Sequence, residues 1–585
     1  MARVVLQSFD GEIPRMEGHY LPERNAAEAA NCKLSNGAVR PMRDGVVVES
    51  GLTDVDGIVY HDNQWFTWEQ VVDAVPGPVA DDRLYLTRAP ESPQVYIGGT
   101  WHELKFASPD VRPTRSWTGT PSDTAESVNY AYTYVSSFGE ETGPSPLTFG
   151  APFSEGMEIT IAGMPNSASL NNRTITHKRI YRSQTSAAGV TDLYFIAEIP
   201  QADTSFIDVW GDNPIQEPCP TKNYNPVDDH LWGLTSMANG IMAGFWGKTL
   251  HFCEPYQPHM WPNEYQLVLE WNIRALVALG TSLVVLTDGE PYIVQGLHPD
   301  SMAMQKVDSV YPCLSRRSVV DMGYSAVYAS TDGLVQITEG GAQLISKHLW
   351  SKDDWAAMRP NQMRAGRFGD DYIFTTVPVG SGWVRTVFTL SLDSETPALT
   401  RTNIPVEFFY NEPKTNTLFY VPVSKDSINE YDAGDLIPYV WKSKLFRFSD
   451  PIGFSALLLD LTGNAKPVPD NLMHIAFEEH YMAVLDQAAW TTPETHVADL
   501  TVDDPPAEIV SEDDYTATID FDAQAAEAFT FKIYGDGNMI YQTSNDSNEV
   551  QRIPAGEYRM WQFSIEGTAE VLRAIIGQSP NEVWV

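Results

Sequence analysis

The sequence predicts an all-β protein with a β-propeller at its centre, and two observations predict it: composition, and a strand-turn-strand unit that recurs about every 40 residues. The 585 residues include 16 Trp, 26 Tyr and 24 Phe, types that fit a pleated, half-buried surface. The 40 Gly and 40 Pro are spread along the chain, as many short strands joined by tight turns require. With 43% hydrophobic residues the chain can bury several cores. A single core stops growing at roughly 250 to 300 residues, so two to four domains are expected.

The first region, 1–115, holds short apolar stretches (VVLQSF, DGVVVES, GIVYH, QWFTW, RLYLT, QVYIGG) separated by Asp, Gly and Pro. These read as strands and hairpins that contribute propeller blades. The exception is Asn25 to Cys32, NAAEAANC, between Leu21-Pro22 and a Ser-Asn-Gly turn, which reads as one or two helical turns.

Residues 116–215 read as a separate β-sandwich inserted between blades. Val128 to Val135 (VNYAYTYV) alternates as a half-buried strand should, and runs into a turn with Gly139 and Gly143 followed by prolines. KRIYRS (178–183), LYFIAEIP (193–200) and TSFIDV (204–209) supply three more strands. The pattern Y-x-Y-x-Y-V-x-x-x-G-E-E-x-x-P-S, with the later Ile180-Tyr181-Arg182 and Phe206-x-Asp208, resembles the fibronectin type III family. That resemblance implies a binding or spacing module.

Residues 216–440 carry the repeat that predicts the propeller. Each unit places hairpin chemistry between two apolar strands: Asn239-Gly240, Trp246-Gly247-Lys248, Gly280-Thr281-Ser282, Asp288-Gly289, Asp332-Gly333 and Gly369-Asp370. A blade buries its faces against its neighbours, so several are needed for stability. In 441–585, a C-terminal β-rich, sandwich-like domain, WKSKLFRFSDPIGFSALLLDL reads as two strands and the last seventy residues alternate around Asp536-Gly537.

The charge excludes general nucleic-acid binding. There are 38 basic and 77 acidic residues, a formal net charge of −39, which repels phosphate unless a basic patch exists. The nearest candidate, Arg316-Arg317, is too small a pair and reads as a strand edge or a salt bridge. An acidic surface has another use: it lets DNA pass without sticking. The N-terminal MARVVLQSFDGEIPR lacks the apolar run of a signal peptide, and no stretch approaches the ~18 apolar residues of a membrane span. A soluble protein made in a cytoplasm is expected.

No catalytic template fits. G-x-S-x-G, H-E-x-x-H, G-x-x-x-x-G-K-[ST] and G-x-G-x-x-G are absent, and Gly380-Ser381-Gly382 lacks the third glycine and the helix. In HIAFEEH, His474, Glu478 and His480 would share one strand face, a possible metal set, whereas a helix would pair His474 with Glu478 and the plain reading is exposed charge at a strand end. Asp503, Asp504, Glu508, Glu512, Asp513 and Asp514, around Pro505 and Pro506, read as a solvated linker without the order of a calcium loop. Cys32, Cys219, Cys253 and Cys313 lie far apart and read as buried free thiols. No catalytic or metal site and no cofactor is expected.

Two blocks carry a further resemblance. The first is Gly11 to Arg43, G-x-I-P-R-x-x-x-x-x-L-P-E-x-x-A-x-x-A-x-N-C-x-L-x-x-G-x-V-R-P-x-R. The second is Asn239 to Pro262, with the unusual Cys253-Glu-Pro-Tyr-x-Pro-His-x-Trp-Pro262, continuing through 284–296, 313–323 and 327–337. Both resemble the tail nozzle (tail tubular) proteins of short-tailed bacteriophages. The resemblance implies a virion structural protein that is not an enzyme. It would form a ring of identical subunits, commonly a homohexamer, in the virion tail. Its expected partners are itself, an adaptor or portal-proximal ring, and tail fibres or spikes, and its channel would conduct genomic DNA during ejection without binding it. An acidic lumen agrees with that role. Two other readings stand beside it: a tail-associated receptor-binding or fibre-docking protein, and a carbohydrate-active propeller enzyme.

Overall fold

The computed structural model describes residues 3–583 apart from 35–36, 81, 89, 186–190, 378–384, 393–396, 463–528 and 545–548. Among the described residues the protein is all-β, the one α-helix being the six residues Lys352–Ala357, closed at its start by a reciprocal Ser351–Asp354 capping box. Among the described residues no helix is long and apolar enough to cross a membrane.

Six four-stranded antiparallel meanders follow one another along the chain. The first runs Asp73–Pro76, Leu84–Arg88, Glu91–Ile97, Thr100–Glu103, and the second Trp232–Ser236, Met242–Trp246, Thr249–Phe252, Leu267–Val268. The third is Ile273–Leu279, Ser282–Thr287, Tyr292–Gln295, Ala303–Lys306, and the fourth Val320–Asp321, Ala326–Ala329, Leu334–Thr338, Gly341–Leu344. The fifth comprises Arg364–Phe368, Asp371–Thr376, Thr386–Ser391 and Leu399–Thr402. The sixth, Val406–Asn411, Leu418–Pro422 and Ser427–Glu430, takes its outer strand, Val46–Ser50, from the far end of the chain.

Period-two alternation explains how these sheets stack. In Ser282–Thr287 every residue is buried, because Leu283 and Val285 pack on the second sheet while Val284 and Leu286 pack on the fourth. The same sharing continues through Tyr372 and Phe374 against Val327 and Leu334, then Ile373 and Val387 against Val406 and Leu418. The hairpin Gly57–His61/Gln64–Trp68 closes the circle, with Ile58 and Trp65 against Phe408 and Val421 on one side, and Val59 and Phe66 against Leu84 and Tyr96 on the other. The result is a closed, propeller-like ring. Its turns fall on the expected pairs, with Asn239, Gly240, Gly247, Gly280 and Gly369 at positive φ between paired strands.

Between the first and second sheets the chain builds a β-sandwich. Thr114–Thr118, Glu158–Ala162 and Ser205–Val209 form one sheet, and Tyr130–Ser136, Arg173–Thr185, Thr191–Pro200 and Ser169–Leu170 the other. Tyr130, Tyr132 and Tyr134 meet Ile159 and Ile161 in its core. The strand Tyr130–Ser136 is buried on both faces, not half-buried as its alternation suggested. The reason lies in the segment that follows. Thr142, Ser145 and Thr148 run alongside it, each receiving the strand's N–H on its hydroxyl and returning its own N–H to the strand's carbonyl. Pro144 and Pro146, which have no N–H to give, fall between these positions.

The N-terminal line ties the ring to the C-terminal part. An eleven-stranded sheet begins as the fifth meander and continues through Asp10–Glu12, Asn25–Ala30, Tyr439–Ser443, Tyr558–Gly567, Phe529–Gly535 and Asn538–Thr543, with Phe446–Ile452 beside it. A four-stranded sheet of Arg3–Gln7, Val571–Gly577, Ala456–Leu461 and Gln551–Arg552 packs on it over Trp441, Trp561, Phe563, Leu457 and Ile576.

Two local expectations are corrected. Asn25–Ala30 is a strand, not a helical turn: Ala26 and Ala29 are buried against the Trp441 core, and the strand pairs on both sides. Tertiary pairing overrides the helix preference of alanine, which is weak per residue. The segment from 439 to 461 gives three strands instead of two, because the chain turns at Ser443 to Phe446 and again after Ile452.

Candidate functional site

The ring's centre is where the functional question concentrates. A 3-10 turn, Arg316–Ser318, leads into the fourth sheet, and Ser318 Oγ donates to the Ser315 carbonyl at 2.7 Å to hold it. This turn sends two adjacent guanidiniums across the axis. Arg316 pairs with Asp73 of the first sheet and lies over the Trp232 and Phe245 rings of the second, at 4.8 and 5.9 Å. Arg317 lies 4.5 Å over Phe408 of the sixth sheet and donates to the Asp56 carbonyl, with its Nη1 3.4 Å from Asp56 Oδ1.

Asp56 Oδ1 is shared, with Arg364 Nη1 at 3.6 Å and Lys425 Nζ at 3.4 Å. Arg364 also reaches Glu407 Oε1 at 2.7 Å, and Arg385 Nε donates to Glu407 Oε2 at 2.6 Å. Residues from the first, fourth, fifth and sixth sheets thus meet in one network. Burial, and secondarily the neighbouring guanidinium, pushes Arg316 down to about 10; burial and then Arg364 do the same to Arg317. Both remain charged at neutral pH. A cavity of about 150 Å³ opens here, walled by Asp56, Asp73, Arg316, Arg317, Phe408 and Tyr410. The Arg316-Arg317 pair is therefore a set of ion pairs, as the plain reading of the sequence expects. It lies inside the ring, where ion pairs and side chains occupy the axis.

The second polar cluster joins the sandwich to the ring. The Arg173 side chain is fully buried; its Nε donates to Glu140 Oε2 at 2.6 Å, and its Nη atoms donate to the carbonyls of Glu103, Leu104 and Lys105 at the end of the first sheet. Glu141 accepts from Thr133 at 2.7 Å, Tyr181 at 2.6 Å and Arg179 at 2.9 Å. The unusual string Cys253 to Pro262 completes the joint: His259 Nε2 lies 3.0 Å from the Glu141 carbonyl, and Trp261 packs with Tyr85 and Leu234. Burial pushes the Glu140 carboxyl up, but Arg173, His259 and Arg83 outweigh it and hold it below its usual value. Burial pushes His259 down against the pull of Glu140. Within the sandwich, Tyr130 and Arg182 both reach Asp208 Oδ2, at 2.7 and 2.6 Å, bringing together residues of the fibronectin-like pattern.

The four cysteines are free and buried. Among the described residues no group of three or more His, Cys, Asp or Glu is placed to hold a metal ion. His474, Glu478, Glu479 and His480, the acidic run Asp503 to Asp514, and Gly380-Ser381-Gly382 lie outside the described residues. The sequence reading passed over Asp56, Asp73, Arg364, Arg385, Glu407 and Arg173. A signal existed for three: Asp73, Arg364 and Glu407 each stand at or next to the first residue of a meander's first strand, a charge at the same place in the first, fifth and sixth units.

No protein-family model matches the chain, and no curated protein matches it. Solved structures of β-propeller proteins are similar at a distance. A catalytically inactive virginiamycin B lyase from Staphylococcus aureus with quinupristin has a TM-score of 0.25 and 12% identity, covering 63% of this chain and 99% of that one. The N-terminal domain of Nup159 has a TM-score of 0.26 and 9% identity, covering 56% and 85%. YCF48 from Cyanidioschyzon merolae has a TM-score of 0.22 and 10% identity, covering 61% and 94%. Scores this low carry no argument about what the chain does. The ring rests on its own sheet order and packing.

Proposed function

We propose that this chain is a structural subunit of a short-tailed bacteriophage tail, a nozzle protein with a propeller core and an inserted fibronectin type III-like module, assembling as a ring, commonly of six. The observation that carries the reading is the eleven-stranded sheet. Strands from the Gly11 to Arg43 line, which bears the resemblance to nozzle proteins, hydrogen-bond the fifth meander to the C-terminal sheet. Continuous backbone pairing of this kind transmits force between parts of a chain without a hinge, which suits a mechanical component.

The occupied axis sharpens the conduit. Ion pairs cross the centre of each subunit's own ring, so we place the passage for DNA between copies, walled by outer surfaces. A net charge of −39 keeps such a wall from retaining phosphate. The sandwich and the C-terminal part then dock an adaptor ring and fibres. Negative-stain imaging of the purified protein or virion tests this: rings with an axial hole are expected, and a persistent monomer that binds host cells would replace the nozzle with the receptor-binding reading.

A further inference from the structure

Two exposed aromatic rings of the sandwich each carry a guanidinium. The pairing that turns Ser145 and Thr148 inward leaves Leu147 and Phe149 in solvent, Phe149 with 68% of its surface exposed. Arg112 lies 4.6 Å over the Phe149 ring. Arg115 lies 5.1 Å over Trp117, which is 40% exposed on the outer strand of its sheet. The two pairs form one patch, because Arg115 Nε donates to the Phe149 carbonyl and Nη2 to the Gly150 carbonyl, both at 2.8 Å. Val111 and Leu147, both exposed, flank it in the chain. Among the described residues neither arginine has a carboxylate partner, in a chain with 77 acidic residues against 38 basic. Trp, Phe and Arg held in place at a surface are the residue types that anchor protein interfaces.

We propose that this patch is where one copy of the chain holds the next, seating an acidic surface of the neighbour on Arg112 and Arg115. The inference rests on the ring reading above. Copies of charge −39 repel one another, so their contact must centre where positive charge is exposed and not already paired. Each neighbour has the complement to offer: 77 carboxylates less 38 cations leaves 39 that no cation of its own chain can match one to one. Contact takes Trp117 and Phe149 out of water, and the loss of solvent strengthens the ion pairs formed beside them. The rest of the module stays open for the adaptor and fibres.

The test is sedimentation velocity of the purified full chain over a concentration series. The wild-type chain should assemble, and assembly should weaken as sodium chloride rises. Trp117→Ser, and separately Arg112→Glu combined with Arg115→Glu, should each raise the dissociation constant by about tenfold or more. Ile207→Ser is the control. Ile207 is 53% exposed and stands opposite Thr160, whereas Trp117 stands opposite Ile159, so it lies on the other face of the same sheet and its loss should leave assembly unchanged. Phe149→Ser repeats the test if Trp117→Ser fails to fold. A wild-type assembly that the patch variants all keep overturns this inference and leaves the ring reading standing. A wild-type chain that stays monomeric overturns both. Variants that assemble normally but yield virions without fibres assign the patch to the fibre, and overturn the inference as well.

Discussion

Arg173 donates from Nε to Glu140 Oε2 at 2.6 Å with its side chain wholly removed from water, and its other donors all end on backbone carbonyls of the first sheet's final strand and the residues after it. One side chain therefore fastens the sandwich to the ring. Replacing it with Gln removes the direct partner of buried Glu140 and leaves it Arg83 at 3.7 Å, and should cost about 3 kcal/mol. Arg179→Gln, at a site 33% exposed, should cost about 1 kcal/mol or less. Urea denaturation of the two variants makes the comparison.

Acid should loosen the same joint in two steps. His259 is pushed below its ordinary 6.5, so below that pH the unfolded chain takes up a proton that the folded one resists, and stability falls as pH falls. Glu140 is held below its ordinary 4.5; its contribution is complete above that value and is lost as pH drops through the folded one. Each proton sets a slope of at most about 1.4 kcal/mol per pH unit. His259→Gln should flatten the upper arm only in part, because burial also depresses His251. Stability curves between about pH 2 and 7.5, in roughly half-unit steps, resolve the two arms.

The strand Asn25–Ala30 breaks register between Ala26 and Glu28, so two residues two positions apart meet different surroundings. Ala29 is fully buried, so Ala29→Leu overpacks the Trp441 core and should cost about 1–3 kcal/mol. Ala27 is exposed, and Ala27→Leu should change stability by about 0.5 kcal/mol or less. Equal effects at the two positions would contradict this difference in burial. Chemical denaturation measures both.

The thiols should be silent in the folded protein. Burial pushes Cys219 up to about 11 and Cys253 and Cys313 to about 12, and raises Cys32 further, so little thiolate forms near neutral pH. A thiol reagent should modify none of the four until denaturant is added, then all four. Rapid labelling of the native chain would be the contrary result.

Much of the fold was legible in the sequence because strand and turn signals are local. Asp332-Gly333 and Asp536-Gly537 marked hairpins from two residues. The Cys253 to Pro262 string was visibly unusual, but its purpose was not readable, since His259 meets Glu141 across 118 positions. Arg316-Arg317 was visible as a pair whose partners Asp56 and Asp73 lie some 250 residues earlier, beyond any local pattern.

The sequence by itself determined that the protein is all-β, that its strands come in repeated meanders and that the chain as a whole is strongly acidic. These follow from side-chain shape, period-two alternation and turn chemistry, all of which act over a few residues. Tertiary structure alone decided that Asn25–Ala30 is a strand and that Val46–Ser50 completes the sixth sheet. It also placed two adjacent arginines at the axis of a ring instead of on its surface. The physical reason is that closing a ring brings together residues hundreds of positions apart, and only there does the balance of charge and burial take effect.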